Sequence, residues 1–158
     1  MKLVFGKGDK KCGLLTCIRD DGSQTSSVLP EHGILPHDLI HYVVEKHFKM
    51  DGAFYAQVKA GANINFSLEH NQASRSVGDT LQSWQTESLV EALQALMWSG
   101  NYSYTDFSYL VEQACQARKI PLPTDMSESL FVAICAEIYV LTQRWQRLPV
   151  GGNIELIF

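Results

Sequence analysis

The chain has 158 residues, of which 46% are hydrophobic and 19% charged, a composition typical of a globular domain and unlike that of a disordered segment. Its formal net charge of −4 argues against a nucleic-acid partner, because affinity for phosphate backbones comes mainly from clustered lysine and arginine. The apolar runs are too short for a secretory signal or a membrane span, and the four cysteines include no Cys-x-x-Cys pair. We therefore expect a single domain over residues 1–158, in the cytoplasm, with reduced thiols and with neither a nucleic acid nor a membrane as partner.

The first third of the chain has the pattern of an antiparallel hairpin. Leu3–Phe5, Leu14–Ile18 and Gln24–Val28 are candidate strands, the last of them rich in serine and threonine. Asp21-Gly22 is a hairpin signal, because glycine tolerates the positive φ that tight turns require. The C-terminal segment Ile154–Phe158 also favours a strand, and we expect it to join the sheet of the N-terminal hairpin.

Helices are predicted between these strands. The first covers residues 36–48 and opens on Pro36, whose missing N–H is not needed in a first helical turn. Apolar periodicity predicts three more helices at 79–99, 105–118 and 124–147. Thr105 is the expected N-cap of the helix at 105–118, and either Thr124 or Ser127 caps the one that follows.

Two segments have no clear pattern. Residues 54–60 form a short apolar stretch that suits a helical turn, and residues 61–78 are polar enough to form a loop or a lid. Because strands and helices are segregated along the chain, the predicted fold class is α+β. We expect a small antiparallel sheet, made of the N-terminal hairpin and the C-terminal strand, packed against three to four helices.

His37, His41 and Glu45 form the arrangement in this sequence that best suggests chemistry. A helix advances about 100° per residue, so the three side chains fall within an arc of about 80° where its apolar and polar faces meet. Two imidazoles one turn apart can bind one divalent ion, and a carboxylate can add a ligand or a hydrogen bond to a ligand. Because Glu45 lies about 12 Å along the axis from His37, we expect another ligand from elsewhere.

Four residues on other segments are candidates for that further ligand, and the sequence does not choose among them: Glu137, Glu87, Glu91 and His32. Glu137 interrupts an apolar helix, and a buried carboxylate needs a partner. We therefore expect Glu137 to be mostly buried and paired with a histidine, a tyrosine, an arginine or an ion.

The same residues also have a purely structural interpretation, which stays open at this point. His37 and Asp38 suit the cap and the dipole of a helix N-terminus. His41 suits a hydrogen-bonded core histidine, and Glu45 with Lys49 suits a salt bridge across one helical turn.

The segment 37–45, read as H-D-L-x-H-Y-x-V-E, resembles the core of a family of short bacterial proteins whose activity is not known. In that family an Arg-x-Asp-Gly-like turn precedes the motif, as at 19–22, and an aromatic-rich segment follows it, as at 52–55. A C-terminal Trp-x-x-Leu-x-x-Gly stretch matches residues 145–151. The H-D-x-x-H part is also similar to the signature of the zinc proteins of ubiquinone biosynthesis, although Ala53 stands where those proteins place a glutamate. This second resemblance implies that H-D-x-x-H can hold a metal.

Two functions of different classes follow from these observations. In the first, His37 and His41 bind a divalent zinc, nickel or iron ion, with Glu45 as a third ligand. Metal-dependent hydrolysis is then the reaction class, with Glu45 or Asp38 orienting a ligand or acting as a base. In the alternative, the protein is a non-catalytic interaction module. Its helical half and an exposed strand edge would bind a protein partner or a second copy of the chain.

Overall fold

The computed structural model describes residues 1–9, 12–31, 34–65 and 80–158. Within these ranges the chain forms one four-stranded antiparallel sheet and five helices. The strands are β1 (Lys2–Gly6), β2 (Cys12–Ile18), β3 (Gln24–Pro30) and β4 (Asn153–Ile157), in the order β3-β2-β1-β4. The helices are α1 (His37–His47), α2 (Phe54–Lys59), α3 (Leu81–Ser99), α4 (Tyr104–Arg118) and α5 (Glu128–Arg147). The predicted α+β class is confirmed.

The sheet follows from alternation and from one tight turn. Leu3 and Phe5 on β1 are buried on the same face as Leu15 on β2, because alternate strand residues point to the same side. Gly22, in the turn between β2 and β3, has a φ of 84°, which only glycine adopts without strain. The C-terminal strand pairs with β1, and Leu3 lies opposite Leu156.

The helix boundaries follow from caps. Thr80 caps α3 and Ser127 caps α5, each by accepting a hydrogen bond from a backbone N–H three residues on. The N-cap of α4 is Ser103, so the prediction of Thr105 is wrong. Ser103 has the extended backbone of a cap and accepts from the N–H of Asp106, whereas Thr105 is already inside the helix.

The two segments without a clear pattern have different outcomes. The apolar segment at 54–60 contains the short helix α2, as the suggested helical turn implied. Of the segment 61–78, residues 61–65 form neither helix nor strand, while 66–78 lie outside the described residues.

Helix α1 lies at the centre of the molecule. Seven of its residues are buried, and it contacts α2, α3 and α5. Its Tyr42 hydroxyl donates to the Ile157 carbonyl, which connects α1 to β4. None of the helices in the described ranges has the length and hydrophobicity needed to span a membrane. Side chains on α1 are therefore held by packing on several sides, which suits a preorganised site.

Candidate metal centre

His37 and His41 point the same way from α1. Their Nε2 atoms are 2.9 Å apart, and the two rings meet edge to face with centroids 4.5 Å apart. Residues four apart on a helix lie one above the other, so the first two turns of α1 bring the imidazoles together. The two side chains therefore lie together on one side of α1, as their four-residue spacing predicts.

Glu87 on α3 completes a group of three. Its Oε1 lies 3.2 Å from Nε2 of His41, and its Oε2 lies 3.6 Å from Nε2 of His37. One ligand atom from each of the three residues lies within 4.8 Å of the others. The packing of α1 against α3 therefore brings a carboxylate to the two imidazoles.

The second nitrogen of each ring faces an oxygen that can only accept a hydrogen bond. Nδ1 of His37 is 3.3 Å from Oε1 of Gln94, and Nδ1 of His41 is 3.6 Å from Oε1 of Glu45. The 2.9 Å contact between the two Nε2 atoms is a hydrogen bond, so one of them carries a proton in this structure. A proton on each Nδ1 would instead leave both Nε2 lone pairs free for an ion. In the described part of the chain, His41 Nδ1 and Glu45 Oε1 are buried polar atoms without a hydrogen bond.

Glu45 lies on the other side of the His41 ring from the three converging ligand atoms. Its side chain is fully buried, and its Oε2 accepts a hydrogen bond from the backbone N–H of Tyr55 at 2.8 Å. The predicted trio of His37, His41 and Glu45 is therefore divided, because Glu45 faces the Nδ1 side of His41 and Glu87 faces the Nε2 side.

The carboxylates around His41 oppose the effect of burial on its pKa. Burial disfavours the imidazolium, but Glu45 and Glu87 stabilise it and raise the pKa of His41 to about 9. Burial also raises the pKa of Glu87, but hydrogen bonds and charges from His37 and His41 outweigh it and hold that pKa far below its usual range. Burial raises the pKa of Asp38 against the opposing effect of the two histidines. The site thus concentrates carboxylates around two imidazoles.

The other predicted ligand candidates lie elsewhere or cannot be placed. Glu91 pairs with Arg118, and Glu137 pairs with Lys46 and His47. His32 lies outside the described residues. Glu137 is half-buried and has the histidine partner expected of it, but that histidine is not His37 or His41.

Two parts of the structural interpretation are also corrected. Among the described residues, no side-chain hydrogen bond caps the N-terminus of α1, so His37 and Asp38 do not serve as its cap. Asp38 does lie in the first turn, where a carboxylate favours the helix dipole. Glu45 binds the N–H of Tyr55, whereas Lys49 is exposed beyond the helix end with a φ of 51°. Glu45 and Lys49 therefore do not form a salt bridge across one turn of regular helix.

Gln94 is the residue that sequence reasoning missed. Gln94 and Glu87 are seven residues apart on α3, which places them on the same side of that helix. This spacing of two polar residues could have indicated a polar row on α3. Only the packing of α3 against α1 shows that the row faces the histidines.

No family model matches the chain, and no curated protein or solved structure matches it. A functional proposal for this protein therefore rests on the geometry of the site.

Proposed function

We propose that this protein binds one divalent transition-metal ion through Nε2 of His37, Nε2 of His41 and a carboxylate oxygen of Glu87. The observation that carries the proposal is the convergence of these three donors from two helices. The ligand set differs from the sequence prediction in one member, because Glu87 takes the place of Glu45.

The donor atoms have the spacing and chemistry of a metal site. At a tetrahedral ion with nitrogen–metal distances of about 2.0–2.1 Å, two nitrogens lie roughly 3.3 Å apart. To bind an ion, the two Nε2 atoms, now 2.9 Å apart, would separate slightly, and the proton of their hydrogen bond would be released. Two imidazoles with one carboxylate suit zinc, iron(II) or nickel.

The surroundings of the other ring nitrogen, Nδ1, of each histidine support the same proposal. Histidine ligands commonly donate their other N–H to a carboxylate or a carbonyl, which fixes the tautomer and the ring orientation. Gln94 Oε1 lies within hydrogen-bond distance of Nδ1 of His37, and Glu45 Oε1 lies 3.6 Å from Nδ1 of His41, just beyond that distance. An ion on Nε2 would strengthen the Nδ1–H of His41 as a donor, giving Glu45 Oε1 the partner it lacks.

Three protein ligands leave coordination positions open. His41 is buried, whereas His37 and Glu87 are partly exposed, so the open side of the centre faces solvent. A divalent ion bound there would supply a Lewis acid within reach of a small molecule. Metal-dependent hydrolysis is the reaction class that we propose to assay.

The direct test is metal content and affinity in protein purified without chelator. Elemental analysis and calorimetric titration with zinc, nickel and iron(II) should show about one ion per chain for the wild type. His41→Ala should abolish specific binding, and Glu87→Gln should weaken it at least about tenfold because a charged ligand is lost.

His47→Ala is the matched control. His47 lies at the end of the same helix and also pairs with a glutamate, yet it is not part of the converging group. This variant should bind metal as the wild type does. Wild-type affinity weaker than micromolar for all three metals would exclude the site, as would unchanged binding in both ligand variants.

A further inference from the structure

Helix α5 is apolar on two opposite faces. One face is buried against the rest of the molecule through Phe131, Ile134, Ile138, Leu141 and Trp145. The opposite face exposes Val132 by 59%, Tyr139 by 66% and Val140 by 54%. A contiguous apolar patch on a second, exposed face of a helix is typical of an interaction surface. Among the residues that the structure describes, only one face of α5 is covered.

The exposed apolar residues form a continuous stripe. At about 100° per residue, Val132, Tyr139 and Val140 all lie within about 60° of Ala136, as does the exposed Ala133. Between Ser129 and Gln143 the stripe contains no charged side chain. The surface continues into an apolar cavity of about 330 Å³ beside the stripe, which Tyr102, Cys135 and Tyr139 help to line.

The two valines of the stripe are placed symmetrically about Ala136. Val132 and Val140 lie four residues on either side of it, and Ala133 and Tyr139 lie three residues on either side. When two copies of α5 pack antiparallel and cross at Ala136, each valine reaches the height of the partner's other valine. The small Ala133 then lies at the height of a large tyrosine, and alternation of small and large residues allows helices to interdigitate.

Charge favours the same arrangement. Glu128 begins α5, while Arg144 and Arg147 lie in its last turn. Antiparallel docking places the acidic beginning of one helix beside the basic end of the other, whereas parallel docking places like charges together. Within the described ranges, no ion pair involves Glu128, Arg144 or Arg147, so these charges are available to a partner.

From these features we infer that α5 is the interface of a two-fold symmetric homodimer, with Ala136 on or beside the symmetry axis. A two-fold interface uses the same patch on both subunits, and antiparallel packing about Ala136 makes this patch complementary to its own copy. The inference is independent of the proposed metal centre, whose ligands lie on α1 and α3.

Sedimentation velocity over a wide range of protein concentration tests the oligomeric state. The wild type should shift from monomer to dimer as concentration rises. Ala136→Arg should give a monomer throughout, because it places two like charges at the symmetry axis. Val150→Glu is the matched control for Val140→Glu, since Val150 is 65% exposed but lies outside α5. Val150→Glu should dimerise as the wild type does, and Val140→Glu should not.

Cross-linking tests which surface is used. In a Cys12→Ser/Cys135→Ser background, which removes the exposed thiol and the partly exposed thiol beside position 136, Ala136→Cys should be joined to its own copy by a short bismaleimide. The background protein and Val150→Cys should give much less covalent dimer. A monomer at every concentration would overturn the inference. A dimer that survives Ala136→Arg would overturn it as well, because the contact would then lie on another surface.

Discussion

His41 has the most constrained surroundings in the proposed centre, because its buried imidazole lies between two carboxylates. Glu87 faces Nε2 at 3.2 Å, and Glu45 faces Nδ1 at 3.6 Å. The proposal assigns different tasks to these carboxylates. Glu87 binds the ion, and Glu45 fixes the tautomer and the orientation of the ring. Each task can be tested by a substitution that keeps the shape of the side chain.

Glu45→Gln removes the carboxylate charge that faces Nδ1 of His41. We expect metal affinity to fall by about 10- to 100-fold, the usual effect of losing a partner that orients a metal-binding histidine. Calorimetric titration measures the change. Glu137→Gln is the control, since Glu137 pairs with a histidine that is not a ligand, and its affinity should be unchanged. Equal affinity in wild type and Glu45→Gln would remove Glu45 from the site.

At this scale the sequence predicted part of the site. The four-residue spacing of His37 and His41 determines that their side chains meet on one helix, and the structure agrees. Glu87 could be named only as one of four candidates, because its position depends on how α3 packs against α1. Local periodicity does not specify which helices become neighbours.

At the scale of elements, Glu137 connects α5 to the end of α1. Its carboxylate accepts hydrogen bonds from Lys46 at 2.8 Å and from His47 at 2.8 Å. Burial raises the pKa of Glu137, but these two partners outweigh it and lower the pKa below its ordinary value of 4.5. The carboxylate is therefore more acidic in the folded protein than in the unfolded chain.

This shift predicts a pH dependence of stability. A group whose pKa is lowered on folding stabilises the protein above its unfolded pKa, and this contribution is lost as pH falls through the folded pKa. Glu137→Gln should therefore cost about 1 kcal/mol or less near neutral pH, because the pair is partly solvated. The difference from the wild type should shrink below a pH of about 4.5. Denaturant unfolding at several pH values measures it, and a difference that grows in acid would contradict the assignment.

The N-cap of α5 gives a second prediction for an element. Ser127 Oγ accepts a hydrogen bond from the N–H of Leu130, so Ser127→Ala should lower the free energy of unfolding by about 1 kcal/mol. Thr124→Ala is the matched control, because Thr124 lies three residues before the cap and is exposed. Denaturant unfolding compares the two, and an equal effect in both would show that this hydroxyl is not what stabilises the helix start.

The N-caps also show why the start of α5 was predicted among its two alternatives while the start of α4 was not. For α5 the sequence allowed Thr124 or Ser127, and the backbone of Ser127 has the extended conformation that a cap needs. For α4 the hydroxyl residues Ser103 and Thr105 are two positions apart. Either could cap a helix in isolation. The backbone conformation decides between them, and apolar periodicity does not report it.

At the scale of the whole molecule, the first and last strands, β1 and β4, pair with each other in the sheet. The segregation of strands and helices along the sequence was enough to predict an α+β fold with a C-terminal strand in the sheet. The structure places β4 beside β1, at the opposite edge from β3. The pairing suits the residues, since β1 supplies the buried Leu3 and Phe5, whereas β3 is rich in serine and threonine. Which helices pack together could not be predicted, because that depends on contacts distant in sequence.

The C-terminal strand should therefore be essential for stability. Ile154 on β4 is buried and lies opposite Phe5, whereas Ile157 on the same strand is 70% exposed. Ile154→Ala should cost about 2–4 kcal/mol, because it leaves a cavity in the core, and Ile157→Ala should cost much less. Removal of residues 153–158 deletes the whole strand and should destabilise the protein more than either substitution, since it leaves β1 unpaired on one side. Thermal and denaturant unfolding measure all three variants. A truncated chain that unfolds like the wild type would show that β4 contributes nothing to the sheet.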